Sequence, residues 1–232
     1  MSAREVYQRT RKVPDLFWNA YVCRPVAAVL VDKLRDTRVT PNQITLSAVL
    51  LALVAAALLV FLPGYWGLLI GVIVFELSYV LDCADGMLAR WRGTASPVGH
   101  LLDFLMDEIK AFVLLAAVAV RLWLERGEPW FLVLGAFGLV ALASGVALTT
   151  FLRRPEVAGP ERAAVARRRG LIGVVEGIAK FLIHYPSYIL YAAIAGRIEI
   201  YFYPYVAVNA LYALRTFAGV ALRYGRFEPK TF

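Results

Sequence analysis

Between Asp82 and Asp107 the chain sets four carboxylates, Asp82, Asp85, Asp103 and Asp107, within some of its most apolar sequence. Their spacing is helical. Asp82, Asp85, Gly86, Ala89 and Arg90 fall at i, i+3, i+4, i+7 and i+8 and share one face of a helix. Gly99, Asp103 and Asp107, at i, i+4 and i+8, share a face of a second. The link from Trp91 to Pro97 turns that second helix back antiparallel to the first, and the small Gly86, Ala89 and Gly99 predict a close approach between them. The carboxylates then converge, so any fold of this chain has to neutralise them.

One uncompensated charge at bilayer depth costs about 2.5–3.5 kcal/mol on the lenient insertion scale. A hard divalent cation, Mg²⁺ or Mn²⁺, answers that cost, because it takes carboxylate oxygens and keeps positions open for water and phosphate. Neither His nor Cys dominates the cluster, which argues against zinc. The competing solution pairs the carboxylates with Arg90 and Lys110, or uses them as a proton relay in a transporter.

Composition decides which solvent the chain meets. With 60% hydrophobic residues and a mean hydropathy of +0.65 over 232 residues, it belongs among polytopic membrane proteins. Six apolar segments, near 41–62, 66–90, 98–124, 129–152, 171–196 and 198–222, are each close to the length a bilayer demands. The predicted fold is all-α: a six-transmembrane-helix bundle over 41–232, preceded by an amphipathic segment over 1–40. In that segment Phe17, Trp18, Tyr21, Val22, Val26, Val29, Leu30 and Leu34 recur at helical spacing, with the charges on the other side. This predicts an interfacial helix lying on the membrane, or equally one covering the cytoplasmic end of the bundle.

The net charge of +8 resides in short basic blocks between apolar segments, a topogenic arrangement rather than a nucleic-acid-binding one. Arg121, Arg126 and Arg197 fall on one side and all the larger basic groups on the other, so both termini and the Asp82–Arg90 end of the second span are expected in the cytoplasm, in the cytoplasmic membrane. Cys23 and Cys83 make neither a metal pattern nor a disulfide framework. The aromatic cluster Tyr201, Phe202, Tyr203 and Tyr205 is expected as an interface belt at the outer end.

The stretch from Asp82 to Asp107 also resembles, position by position, the signature D-x2-D-G-x2-A-R-x8-G-x3-D-x3-D of the CDP-alcohol phosphotransferase family. That resemblance implies an integral membrane enzyme, a homodimer, that moves a phosphate-linked group from a CDP-linked donor to an alcohol and releases CMP in phospholipid biosynthesis. CDP-diacylglycerol is the expected donor, and a CDP-linked polar alcohol passed to a lipid or inositol-phosphate-type acceptor is the alternative. By the same resemblance Asp82, Asp85 and Asp103 are metal ligands, and Asp107 is the general base and a fourth carboxylate at the metal. Gly86, Ala89, Arg90, Ser96 and Gly99 match positions at the donor. Thr40 and Pro41 read as the N-cap and first residue of the first span; the Pro-Asn-x-x-Thr run resembles the family's nucleotide-contacting segment, which adds Asn42 and Thr45.

Further along, Glu176, Lys180 and His184 form one polar face and Asn209, Tyr212, Arg215 and Thr216 line the last span. Arg153, Arg154, Lys180 and Arg215 suit a phosphorylated alcohol such as inositol phosphate or glycerol phosphate, with Glu176 offsetting one of them. The Glu176–Lys180 pair at i, i+4 also satisfies itself as a simple helix ion pair.

Overall fold

A computed structural model of the chain describes residues 2–12, 15–154, 157, 177–178, 181–184, 186 and 188–224. Among these the regular structure is entirely helical. Helix α3 (Pro41–Phe61) starts where the sequence places it, because Thr40 and Gln43 close a capping box: Thr40 Oγ1 accepts from the Gln43 N–H at 3.3 Å, and Gln43 Oε1 accepts from the Thr40 N–H at 2.9 Å. Helix α4 (Gly64–Trp91) returns antiparallel through a tight turn. Helix α5 (Pro97–Arg126) is capped by Ser96, whose Oγ accepts from the Gly99 N–H at 3.0 Å. It stops at Gly127, whose φ of 71° is the left-handed conformation that ends helices. Helices α6 (Trp130–Arg153), α7 (Ile189–Ile194) and α8 (Glu199–Tyr224) follow.

Four of these, α3, α4, α6 and α8, are long and apolar enough to cross a membrane. At 30 residues α5 is long enough, about 45 Å at 1.5 Å per residue, but it breaks its apolar run with Asp103, Asp107, Glu108 and Lys110 near its start and Arg121, Glu125 and Arg126 near its end. Of the expected fifth segment, 171–196, residues 171–176, 179, 180, 185 and 187 lie outside the described residues, and α7 is the regular helix at its end.

The order of packing differs from the expected one in an instructive way. Helix α3 packs extensively on both α4 and α5, whereas α4 and α5 make little backbone contact with each other. Gly86 and Gly99 are therefore not a mutual close approach: a Cβ on Gly86 would meet the Arg90 guanidinium at 3.3 Å, and one on Gly99 would meet Ser96 Oγ at 3.2 Å. The small residues that bring helices together are elsewhere. On α6 a Cβ at Gly135 would stand 2.4 Å from the Ala119 Cβ of α5, and one at Gly138 would stand 2.8 Å from Val206 of α8.

The aromatic cluster on α8 also departs from expectation. Tyr201, Phe202 and Tyr205 are buried in the bundle core, and only Tyr203 faces outward. Positions i, i+1 and i+4 share the inner face of α8, where Tyr201 stacks on Tyr205 at 5.1 Å and tilts against Tyr188 at 5.0 Å. These rings fill the core rather than belt the outside.

At the end of the bundle away from the carboxylates, Arg121 is 2% exposed and fastens the α3–α4 turn. Its guanidinium donates to the carbonyls of Leu59 at 2.9 Å, Leu62 at 3.1 Å and Gly64 at 2.6 Å and pairs with Glu125 at 2.6 Å. It thereby satisfies carbonyls that the end of α3 leaves without partners.

The N-terminal segment forms α1 (Ala3–Thr10), a π-helical turn (Asn19–Cys23) and α2 (Arg24–Leu34). From Trp18 onward its contacts advance along α4 in the same direction as the chain: Trp18 Nε1 donates to Glu76 Oε2 at 3.2 Å, Asn19 Oδ1 accepts from Tyr79 Oη at 2.9 Å, and the Leu34 carbonyl accepts from Arg92 at 2.7 Å. Trp18, Cys23, Ala27, Ala28 and Val31 are buried on that side, while Phe17, Tyr21, Val22, Val26 and Val29 are exposed. The segment thus carries apolar side chains on two faces, one against α4 and one outward.

Candidate metal and nucleotide site

The carboxylates meet where the side chains of α4 and α5 face each other, beside α3. Asp82 and Asp85 project from the last turns of α4, and Asp103 from the second turn of α5; one oxygen from each lies within 4.8 Å of the others. Asp85 is buried and receives the Thr45 hydroxyl of α3 on Oδ2. Thr45 Oγ1 also lies 3.2 Å from the Pro41 carbonyl, but its single proton goes to the carboxylate, the stronger acceptor. Three helices therefore build the cluster.

Asp107 stands beside this group rather than in it. Lys110, 1% exposed and one turn on from Asp107, forms an ion pair with Asp82 and reaches Asp107 Oδ1 at 2.9 Å, with its ammonium 5.9 Å from the Tyr79 ring. The two sequence-level solutions to the charge problem coexist here. Lys110 answers Asp82 and Asp107, while Asp82, Asp85 and Asp103 form an oxygen-only donor set. Four carboxylates against one ammonium, 4 − 1, leave three formal negative charges. A hard divalent cation fits that excess and that donor chemistry.

Arg90 lies on the cluster's side of α4. Its Nε donates to the Thr10 carbonyl at 2.8 Å, and its Nη2 is buried without a hydrogen-bond partner. Gly86 leaves the space against which that guanidinium rests. Ala89 is half-buried on the same face, and Asn42 is exposed at the second position of α3. Ser96 and Gly99 are tied to each other as the cap of α5, so the Ser96 oxygen already has a structural task.

Of the residues expected at the acceptor, Arg153 and Arg154 are exposed at the end of α6, and Arg153 lies 5.8 Å over the Phe104 ring of α5. Arg215 is exposed on α8; Lys180 and Glu176 lie outside the described residues. Asn209 turns back to the Tyr205 carbonyl at 2.8 Å, Tyr212 links to Thr149 of α6 at 2.8 Å, and His184 meets Tyr79 Oη at 2.8 Å. Two contacts had no signal in the sequence. The Thr45–Asp85 bond joins residues 40 apart, and Arg92 binds four backbone carbonyls 53 to 58 residues earlier.

A helical bundle with several spans of membrane length and an acidic, oxygen-only cluster at one end defines a class: membrane-type proteins with a carboxylate cluster that could hold a hard cation. Within that class, residues 38–198 match the CDP-alcohol phosphatidyltransferase family, and the chain belongs to it. Curated relatives agree. The chain is 31% identical over 138 residues to a phosphatidylinositol phosphate synthase of Corynebacterium glutamicum, covering 60% of this chain and 59% of that one. It is 32% identical over 104 residues to a bifunctional IPC transferase and DIPP synthase of Aquifex aeolicus, covering 45% and 22%. It is 37% identical over 90 residues to a CDP-diacylglycerol--glycerol-3-phosphate 3-phosphatidyltransferase of Pseudomonas fluorescens, covering 39% and 44%. The matched stretches thus span between 22% and 59% of those relatives' lengths.

Proposed function

We propose that the protein is a divalent-metal-dependent CDP-alcohol phosphotransferase of the cytoplasmic membrane, which transfers a phosphatidyl group from CDP-diacylglycerol to a phosphorylated polyol and releases CMP. The observation that carries this reading is the convergence of Asp82, Asp85 and Asp103 from two helices to within 4.8 Å, beside a buried Arg90 Nη2 with no protein partner. The acceptor class rests on the basic Arg153, Arg154 and Arg215 and on relatives named for phosphorylated polyols.

Asp82, Asp85 and Asp103 would hold Mg²⁺ or Mn²⁺, with Thr45 fixing Asp85; the chemistry supplied there would be charge neutralisation at the donor diphosphate. Arg90 turns Nη2 toward the same diphosphate, and Asn42 at the start of α3 contacts the nucleotide. Asp107 takes the proton of the acceptor hydroxyl as its oxygen bonds to the phosphatidyl phosphorus and the bond to CMP breaks. Lys110 orients Asp107 for that transfer from one turn away. The exposed apolar face of Phe17, Tyr21, Val22, Val26 and Val29 rests in the lipid beside the site.

The test is CMP release by purified protein in lipid, over a matrix of CDP-linked donors and alcohols at several Mg²⁺ and Mn²⁺ concentrations. Metal-dependent CMP release with CDP-diacylglycerol and a phosphorylated polyol is expected. No CMP with any pair would overturn the reading and favour a proton relay along Asp82, Lys110 and Asp107.

A further inference from the structure

The carboxylates stand on α4 and α5, but the segment assigned to the nucleotide stands on α3, and the two must be held in register. Thr45 on Asp85 is one tie between α3 and α4. A second lies about two turns away. Arg92, the C-cap residue of α4, aims its guanidinium across the end of α2 and the turn that leads into α3. Nε donates to the Arg35 carbonyl at 3.1 Å, Nη1 to the Val39 carbonyl at 2.5 Å, and Nη2 to the carbonyls of Leu34 at 2.7 Å and Thr37 at 2.8 Å. Four of the five guanidinium N–H groups are thereby used on backbone.

What these carbonyls share is their position. Leu34 ends α2, Arg35 to Thr37 form the turn, and Val39 precedes Thr40, the cap whose box with Gln43 sets the direction of α3. Asn42 follows two residues later. Thr37 also donates back to the Leu34 carbonyl at 2.8 Å, so the turn is braced from within as well as from Arg92. Next to Arg92, the Trp91 ring is flanked by Arg9 at 4.7 Å and Arg35 at 5.6 Å, which brings α1 and α2 to the same point.

We propose that Arg92 is a positioning residue for the donor nucleotide: by clamping the turn before α3 to the end of α4, it fixes Asn42 against the Asp82–Asp85 face. This rests on the functional reading above. Lysine cannot replace it, because a compact ammonium with three donors lacks the planar fork that spans four carbonyls.

The experiment uses the full-length protein in lipid nanodiscs with Mg²⁺, and CMP itself as the binding probe. Arg92→Lys and Arg92→Gln are compared with wild type for CMP affinity by calorimetry, for KM of donor and acceptor, for kcat at saturating donor, and for Tm. Loss of one hydrogen bond from Asn42 to the charged nucleotide is worth about 10- to 100-fold in affinity. Both variants are therefore expected to weaken CMP binding and raise donor KM by about 10- to 100-fold, with kcat and acceptor KM near wild type. Arg92→Lys should resemble Arg92→Gln, not wild type. A double-mutant cycle adds a second check: if Arg92 acts through Asn42, combining Asn42→Ala with Arg92→Lys weakens CMP binding no further than the worse single change. Wild-type CMP affinity and donor KM in Arg92→Lys would overturn the proposal, as would additive losses in the cycle, or equal losses for donor and acceptor with a lowered Tm. A wild-type protein that binds no CMP would refute the phosphotransferase reading instead.

Discussion

Replacing Thr45 with Val keeps the shape of a side chain only 4% exposed and removes one hydroxyl. That hydroxyl gives its proton to Asp85 Oδ2, inside a cluster with three formal negative charges in excess. A hydrogen bond to a charged group contributes about 1.5–3 kcal/mol, and it fixes which way the carboxylate turns its other oxygen. Its loss therefore acts on cation affinity through the orientation of Asp85. Loss of such a supporting partner weakens metal binding by about 10- to 100-fold, or roughly 1.4–2.7 kcal/mol at 1.36 kcal/mol per tenfold change. The assay is Mn²⁺ titration of the purified protein, followed by electron paramagnetic resonance of free Mn²⁺, with Thr45→Ser as the control that keeps the hydroxyl. Thr45→Val should bind Mn²⁺ at least tenfold more weakly than wild type, and Thr45→Ser should stay close to it. Equal Mn²⁺ affinity in wild type and Thr45→Val would refute the idea that α3 supports the metal site through this bond.

Three further outcomes are expected. Asp107→Asn should lower CMP release by about 10²–10⁴-fold while Mn²⁺ still binds, with no rescue by added metal; near-normal turnover would remove Asp107 as the base. Arg121→Leu should destabilise the protein by about 1–3 kcal/mol, since it takes the donor from three backbone carbonyls at the end far from the carboxylates, while Glu125 is exposed and stays solvated. Thermal unfolding in mild detergent measures it, and an unchanged Tm would contradict the fastening role. A single cysteine at the exposed Thr94 in the α4–α5 link should react with an impermeant maleimide only from the cytoplasmic side of oriented vesicles. Labelling only from the opposite side would invert the topology.

The starts and stops of α3, α4, α5, α6 and α8 were legible because each is written locally, in a Thr40-Pro41 cap and in runs of apolar residues between breakers, whereas the Ser96 cap of α5 emerged only from the structure. The four carboxylates were legible for the same reason: spacings of three and four become one helix face. What crosses between helices was not. Sequence spacing brought Gly86 and Gly99 together as a helix contact, but α4 and α5 each pack mainly on α3, and that choice depends on which apolar faces match across the bundle. The inward turn of Tyr201, Phe202 and Tyr205 followed from the same packing. Lys110 was visible as one candidate partner for the carboxylates, yet only the fold shows that it serves Asp82 and Asp107 and leaves Asp85 to Thr45. Arg92 carried no signal, since binding backbone carbonyls leaves no trace in residue identity. The break of the N-terminal segment into α1, a π turn and α2 was likewise hidden behind a continuous helical pattern of apolar residues.

The central claim is that Asp82, Asp85 and Asp103 hold the cation on which CMP release depends. The most direct measurement compares Mn²⁺ binding and CMP release in wild type and in the double variant Asp82→Asn, Asp85→Asn, which keeps side-chain shape and removes two of the charges. The account predicts that Mn²⁺ binding and CMP release are lost together, with excess metal restoring part of the activity in each single variant. Unchanged Mn²⁺ binding after both charges are gone would contradict it.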